Sequence, residues 1–257
     1  MARPRRASPY SDPPAGRGIP MLARYFLAAL LAGILAGVLI TPLQHLKTTP
    51  LILAAETYED GGTAHDHAAS SLRLVTPAHA HGGAAHEEGG DVARLGGTLL
   101  ANVVIGAAFS LLLLAVSLGL DRPVTLRNGA VWGLAGFAVV TLAPALGLPP
   151  ELPAMPAADL AARQAWWLAT VALTAGGLWL LVFHRSSAAI LGGLALLLLP
   201  HVVGAPHPAD LASPVPAALA AEFAVASLSL SAFLWAMTGA LLGLGLDRAR
   251  RTAAVPA

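Results

Sequence analysis

The stretch LARYFLAALLAGILAGVLITPL, residues Leu22–Leu43, decides the fold class of this chain. It contains a single charged side chain, Arg24, and consists mostly of Leu, Ala, Gly, Ile and Val up to Pro42. A helix needs about 20 apolar residues to cross the hydrocarbon core of a bilayer. The stretch therefore predicts a membrane-spanning helix that begins near Arg24 and ends near Pro42.

Similar apolar runs recur along the rest of the chain and predict an all-α integral membrane protein, a bundle of about six transmembrane helices with a His-rich outer loop. The five further helices are expected at Leu95–Leu120, Gly129–Leu148, Ala165–Phe183, Ala188–Val203 and Ala217–Leu246. The fifth helix of the six is short, and we expect Pro200 to interrupt it. It could therefore be tilted, or enter the membrane only partway inside the bundle.

Composition supports this class and excludes several chemistries. Charged residues make up 11% of the chain and apolar residues 56%, whereas average soluble domains carry about 25% charged residues. The chain has no Cys, which excludes disulfides, thiolate zinc sites and thiol redox chemistry. The four Met are scattered, so a thioether site for Cu(I) is not expected.

The small-residue motifs and the tryptophans are interpreted as packing features. Three pairs, Gly33–Gly37, Gly129–Gly133 and Gly239–Gly243, have the spacing that permits close helix contact. The five Trp fit interfacial belts or helix contacts better than a cofactor pocket.

The domain organisation is expected to have three parts. Residues 1–20 form a disordered Arg-, Pro- and Gly-rich tail, 21–250 form the transmembrane domain with the outer loop 47–93, and 251–257 form a C-terminal tail. Met21 could instead be the true initiator. The first helix could also be a cleaved signal peptide, although no clean small-x-small cleavage site follows it. Within the outer loop, Thr49–Glu59 predicts a short helix and the remainder disorder in the absence of metal.

Charge distribution sets the expected orientation through the positive-inside rule. With both termini in the cytoplasm of a bacterial inner membrane, four basic residues lie outside: Lys47, Arg73, Arg94 and Arg163. The other eleven lie inside: Arg3, Arg5, Arg6, Arg17, Arg24, Arg122, Arg127, Arg185, Arg248, Arg250 and Arg251. The same threading places eight of the nine His outside, together with most carboxylates.

The outer loop is the first candidate metal-binding region. Its candidate ligands are His65, His67, His79, His81, His86 and Glu56. Imidazole and carboxylate together suit Co, Ni, Zn or Cu(II), and in an extended chain residues i and i+2 project to one face. We interpret the loop as a weak, fast-exchanging metal collector. A polar, solvated linker that happens to contain His is the alternative.

The second candidate is the sequence PHVVGAPHP, Pro200–Pro208, which carries His201 and His207. Its three prolines and one glycine are expected to prevent regular helix and to fix an irregular backbone at the outer membrane mouth. Such backbone with two imidazoles predicts an ion site. A capped helix end with interfacial His fits the same residues.

Polar side chains also occur inside the predicted helices. Gln44 and His45 end the first helix. At 1.5 Å per residue, Asn102 lies about 12 Å along its helix from Arg94, and Glu222 lies about 9 Å along its helix from Pro216. Burying a charge in the bilayer costs on the order of 3 kcal/mol even on the lenient insertion scale, so such residues usually face the bundle interior. These residues all belong to the outer half. They predict a polar vestibule above an apolar inner half.

Four stretches carry a resemblance to a known family. They are Leu27–Leu53, Leu142–Pro153 (LAPALGLPPELP), Asp159–Trp167 (DLAARQAWW) and Pro200–Pro208. In these stretches the chain resembles the CbtA family of cobalt transporter subunits, and the similarity extends from Met21 to Leu246. The two Pro-rich motifs are its specific part. The resemblance implies a small His-bearing membrane partner, CbtB, and a link to cobalamin biosynthesis.

The segment around the second Pro-rich motif has its own physical interpretation. Asp159 is a candidate N-cap of the following helix. Glu151, Asp159 and Arg163 are expected at one interface, where a salt-bridged structural loop is favoured over a ligand set. Glu151 is kept as a candidate carboxylate ligand.

We therefore expect a membrane subunit of a divalent transition-metal uptake system, most simply for cobalt, with nickel and zinc as other candidates. His201, His207 and Glu222, with His45, would form its capture site. Other expected partners are the bilayer, the CbtB-like subunit and further copies of this chain, but no nucleic acid and no permanently bound cofactor. A non-transporting metal-binding or delivery protein is the alternative. No enzyme is expected, because no base–nucleophile pair and no phosphate-loop lysine are present.

Overall fold

The computed structural model describes residues 21–59 and 87–254, and in this part of the chain all regular structure is helical. The helices are α1 (Met21–Lys47), α2 (Thr49–Glu56), α3 (Glu87–Gly119), α4 (Gly129–Phe137), α5 (Ala143–Ala145), α6 (Leu160–Phe183), α7 (Ser187–Val203) and α8 (Ala217–Ala254). A π-helical stretch, Ala138–Leu142, joins α4 to α5 without a break. Each run predicted to be an apolar helix is helical over most of its length, although the third ends at Ala145 and not at Leu148. The short helix expected at Thr49–Glu59 is α2, which ends at Glu56.

Four helices are long and apolar enough to cross a membrane: Met21–Lys47, Val92–Gly119, Leu160–Phe183 and Ala217–Thr252. Two shorter apolar helices, Gly129–Ala145 and Ser187–Val203, extend over about 25 Å each at 1.5 Å per residue. The described chain is thus all-helical with four candidate spans. Side chains such as Leu31, Val131 and Leu191 are more than half exposed on the isolated chain, as expected of helices that face lipid.

Two predicted boundaries are corrected. Pro200 does not interrupt the fifth apolar helix, because α7 continues through it to Val203. The helix instead ends at Gly204, whose φ of +86° suits glycine and whose N–H bonds to the Pro200 carbonyl oxygen at 3.0 Å. At the other end of the chain, α8 continues beyond Leu246, so the predicted C-terminal tail begins with helical residues up to Ala254. The predicted tail at residues 1–20 lies outside the described residues.

The described residues divide into two compact units. The first takes its residues from Met1–Leu46, Gly62–Gly133 and Leu234–Ala257. The second takes its residues from Lys47–Gly61 and Leu134–Phe233.

Glycines bring the helices of the first unit into backbone contact. A Cβ atom added at Gly33 would overlap the carbonyl oxygen of Gly106 on α3, and one at Gly37 would overlap that of Asn102. The α4 glycines Gly129 and Gly133 contact the backbone of α8 in the same way. The packing interpretation of the small-residue motifs is thereby confirmed. Their order along the helices makes α1 antiparallel to α3.

The second unit is organised around an α6–α7 hairpin. Residues 184–186 form its short connection, in which the Ser186 hydroxyl accepts a hydrogen bond from the Ala189 N–H and so caps α7. Gly177 and Gly193 form a close contact between the two helices. Beyond the hairpin, α2 contributes Ala55 to a small core with Leu152 and Val215.

Helix packing at glycine predicts the effect of a single methyl group. Gly106→Ala should destabilise the first unit by about 1–3 kcal/mol, because its Cβ cannot be placed without moving the α1 backbone away. Gly97→Ala on the same helix is the matched control, since nothing lies within 4 Å of its Cβ. Thermal unfolding in detergent, followed by intrinsic fluorescence, should show a lower midpoint only for Gly106→Ala. Equal midpoints would contradict the close α1–α3 packing.

Candidate functional site

Three polar side chains form a buried cluster between α1 and α3. The amide nitrogen of Asn102 donates to the Thr41 hydroxyl at 3.0 Å and to the Gln44 side-chain oxygen at 2.8 Å. The Thr41 hydroxyl in turn donates to the Gly37 carbonyl oxygen at 2.8 Å. We call Thr41, Gln44 and Asn102 the Asn102 cluster. It satisfies polar groups that would be costly to leave unpaired away from water.

The sequence singled out Gln44 and Asn102 but missed Thr41. A spacing signal could have found it, because residues three apart lie on the same helix face and Thr41 precedes Gln44 by three. His45, the next residue after Gln44, is half-buried.

The Asn102 cluster makes a second prediction. Asn102→Leu should lower the unfolding midpoint, since interhelical hydrogen bonds in membranes contribute about 0.6–1.7 kcal/mol each. Thr98→Ala is the control in the same helix, because the Thr98 hydroxyl bonds only to the Arg94 carbonyl oxygen of its own helix. In a double-mutant cycle, Asn102→Leu and Gln44→Leu should be non-additive. Strict additivity would argue against the hydrogen bond between their side chains.

His201 lies in a second cluster, in the other unit. The indole ring of Trp166 on α6 meets the His201 imidazole edge-on, with ring centres 6.1 Å apart. The Trp166 indole N–H also donates to the Pro200 carbonyl oxygen at 3.3 Å. These two contacts attach the last turn of α7 to α6, and the His201 side chain is half-buried there.

Gly147 belongs to the same cluster. A Cβ at Gly147 would lie 2.5 Å from the Trp166 ring and 2.9 Å from the Cβ of Ala205, so only glycine allows these three residues to approach so closely. We call Gly147, Trp166, Pro200, His201 and Ala205 the Trp166 junction. It joins the three sequence motifs 142–153, 159–167 and 200–208, which the sequence alone left separate.

Ionic and capping bonds hold the chain beside the junction. Arg163 forms an ion pair with Glu151 at 2.8 Å, and each side chain is about a quarter exposed. Asp159 caps α6 by accepting from the Ala162 N–H at 2.9 Å, as predicted. The Glu59 carboxylate accepts from the Ala154 N–H at 3.2 Å. These contacts support the structural role expected for the Glu151 loop, while a ligand role for Glu151 stays a prediction.

The remaining predicted ligands are spread out. His207 lies exposed in the segment after α7, Glu222 is exposed near the start of α8, and Glu56 is the last residue of α2. His65, His67, His79, His81 and His86 lie outside the described residues. Among residues 21–59 and 87–254, no three His, Asp or Glu side chains are close enough together to hold one metal ion. The described chain alone thus offers single ligands and no closed coordination site.

These features define a helical membrane protein with a buried polar cluster between α1 and α3 and a His-bearing junction at the end of α7. A sequence profile of the family described as "Probable cobalt transporter subunit (CbtA)" matches residues 22–247. The chain belongs to this family, and the resemblance noted in the sequence is confirmed. A transporter subunit is not an enzyme, and its description implies an assembly partner and a cobalt ion as cargo. No curated protein and no solved structure matches the chain.

Proposed function

We propose that this protein is the membrane subunit of a divalent-metal uptake system that carries cobalt into a bacterial cell. The observation that carries the proposal is the family match along residues 22–247. The His residues and carboxylates predicted for the outer side supply borderline ligands of the kind that Co²⁺, Ni²⁺ and Zn²⁺ accept.

The proposed topology has six membrane crossings with both termini in the cytoplasm. It counts the four long spans together with Gly129–Ala145 and Ser187–Val203, which would cross a locally thinned or protein-covered region. This arrangement places the α6–α7 connection inside and the Trp166 junction outside. It follows the positive-inside bias of the basic residues.

Topology can be tested by labelling, because the chain has no native Cys. A single Cys at His207 should react in whole cells with a membrane-impermeant maleimide. A single Cys at Ser186, exposed in the α6–α7 connection, should react only after the cells are opened. The reverse pattern would overturn the proposed orientation.

We place metal capture at His201 and His207, with Glu222 of the same unit as a further ligand. His45, which belongs to the first unit, stays a separate candidate ligand. The rigid hold of Trp166 on the last turn of α7 favours His201 as the fixed ligand, because a ligand positioned in advance costs less entropy on binding. His207 lies between Pro206 and Pro208, outside α7, and its side chain is exposed. Further ligands would come from the His-rich loop or from a small His-bearing subunit, since the described residues provide no group of three.

The capture site makes a direct prediction. Cells that express His201→Ala together with His207→Ala should accumulate several-fold less ⁵⁷Co than wild type. His184→Ala is the matched control, because His184 is an exposed His beside Trp179 at the opposite end of α6. Undiminished accumulation by the double variant, at equal membrane abundance, would refute the capture site.

A second candidate function is metal delivery without transport. The scattered ligands favour it, because the described residues offer no group of three ligands that would form a closed site. Purified protein in liposomes separates the two functions. Cobalt flux by this chain alone supports transport, whereas cobalt binding without flux supports delivery to a partner.

A further inference from the structure

We propose that a groove between α1 and α8 in the first unit binds an anionic phospholipid from the membrane. The groove has a volume of about 460 Å³ and is lined by residues from both helices. Arg24, Arg248 and Thr252 provide its polar lining, and Leu31, Leu35 and Leu241 are among the apolar residues. We call it the arginine groove. This inference does not depend on metal transport.

The two arginines lie at the same end of the groove. Helix α1 is antiparallel to α3, and the C-terminal half of α8 is antiparallel to α4. Because residues 120–128 connect the end of α3 to the start of α4, the start of α1 and the end of α8 belong to the same end of the unit. A Cβ added at Gly245 would lie 3.1 Å from that of Ala28, which places these residues level. Arg24 is one turn from Ala28, and Arg248 is about one turn from Gly245 in the same direction.

Both guanidinium groups are available to a ligand. Within the described part of the chain, neither Arg24 nor Arg248 has a hydrogen bond or ion pair through its side chain. The nearest carboxylate in sequence, Asp247, is engaged elsewhere, since it pairs with Arg250 at 2.8 Å and accepts from the Leu126 N–H at 2.9 Å. Two uncompensated positive charges therefore face one polar end, where a phosphodiester could accept bidentate hydrogen bonds.

The apolar part of the groove has the length of one lipid leaflet. From Arg24 to Leu35 the helix rises about 16 Å, and half of the hydrocarbon core of a bilayer is about 15 Å. Leu31 and Leu35 remain about half exposed, so acyl chains can lie along them. A groove with two arginines at the headgroup level and leucines along one leaflet fits a phospholipid better than a soluble anion, which would leave the leucines without a partner.

The test is lipid binding by purified, detergent-solubilised protein, measured by native mass spectrometry. Wild type should bind phosphatidylglycerol more tightly than phosphatidylcholine with the same acyl chains. Arg24→Gln with Arg248→Gln should lower phosphatidylglycerol affinity roughly tenfold or more, because each basic residue near anionic lipid contributes about 1 kcal/mol. The control is Arg127→Gln with Arg185→Gln, which removes two other exposed arginines outside the groove.

Leu31→Trp tests the apolar part independently of charge and of any misfolding in the arginine variants. It should weaken phosphatidylglycerol binding with both arginines intact, because the indole fills space between the helices. Millimolar inorganic phosphate should not displace the lipid. Equal affinity of the groove and control variants, full binding by Leu31→Trp, or displacement by phosphate would each overturn the proposal. So would retention of a copurifying polypeptide in the groove in place of lipid.

Discussion

Close backbone contact at glycine is the constraint on which the first unit depends. In lipid, apolar side chains gain little by leaving one apolar surface for another, so helices associate through van der Waals contact and interhelical hydrogen bonds. Gly33, Gly37 and Gly106 let α1 and α3 approach until backbone meets backbone. The Asn102 cluster forms at the same crossing, and its hydrogen bonds require this short separation. The close packing of α1 and α3 and the hydrogen bonds between them therefore both depend on glycines that have no side chain at the crossing.

The second unit differs from the first because it contains several Pro-rich segments that are held in fixed positions. Prolines remove backbone donors, so these segments cannot be held by a regular hydrogen-bond ladder. Trp166 replaces that ladder with one large side chain that contacts Gly147, Ala205 and the last turn of α7. The Glu151–Arg163 pair and the Asp159 cap then fix the chain on either side. A histidine presented at such a point has a defined position before any ligand arrives.

Much of the fold could be predicted from the sequence, because a membrane helix is a long run of apolar residues that is visible without any structure. The apolar runs predicted the long helices, and the position of Asp159 before α6 predicted its role as a cap. The interpretation of Pro200 failed because proline was treated as a helix breaker. In the last turn of α7 it removes only one bond, and Gly204 provides the actual end. The partnership of Trp166 with Gly147 and Pro200 links residues distant in sequence, and composition carries no signal for such pairs. Metal ligation stays a prediction for the same reason, since coordination depends on distances that a pattern of His does not encode.

The π-helical stretch Ala138–Leu142 determines which way the residues directly after it face. A π turn accommodates one residue more than an α turn, and one residue corresponds to about 100° of rotation around the helix axis. The facing of Pro144 and Gly147 is thus set by this single additional residue. Converting the stretch to regular α-helix would rotate Gly147 about the helix axis and turn it away from Trp166.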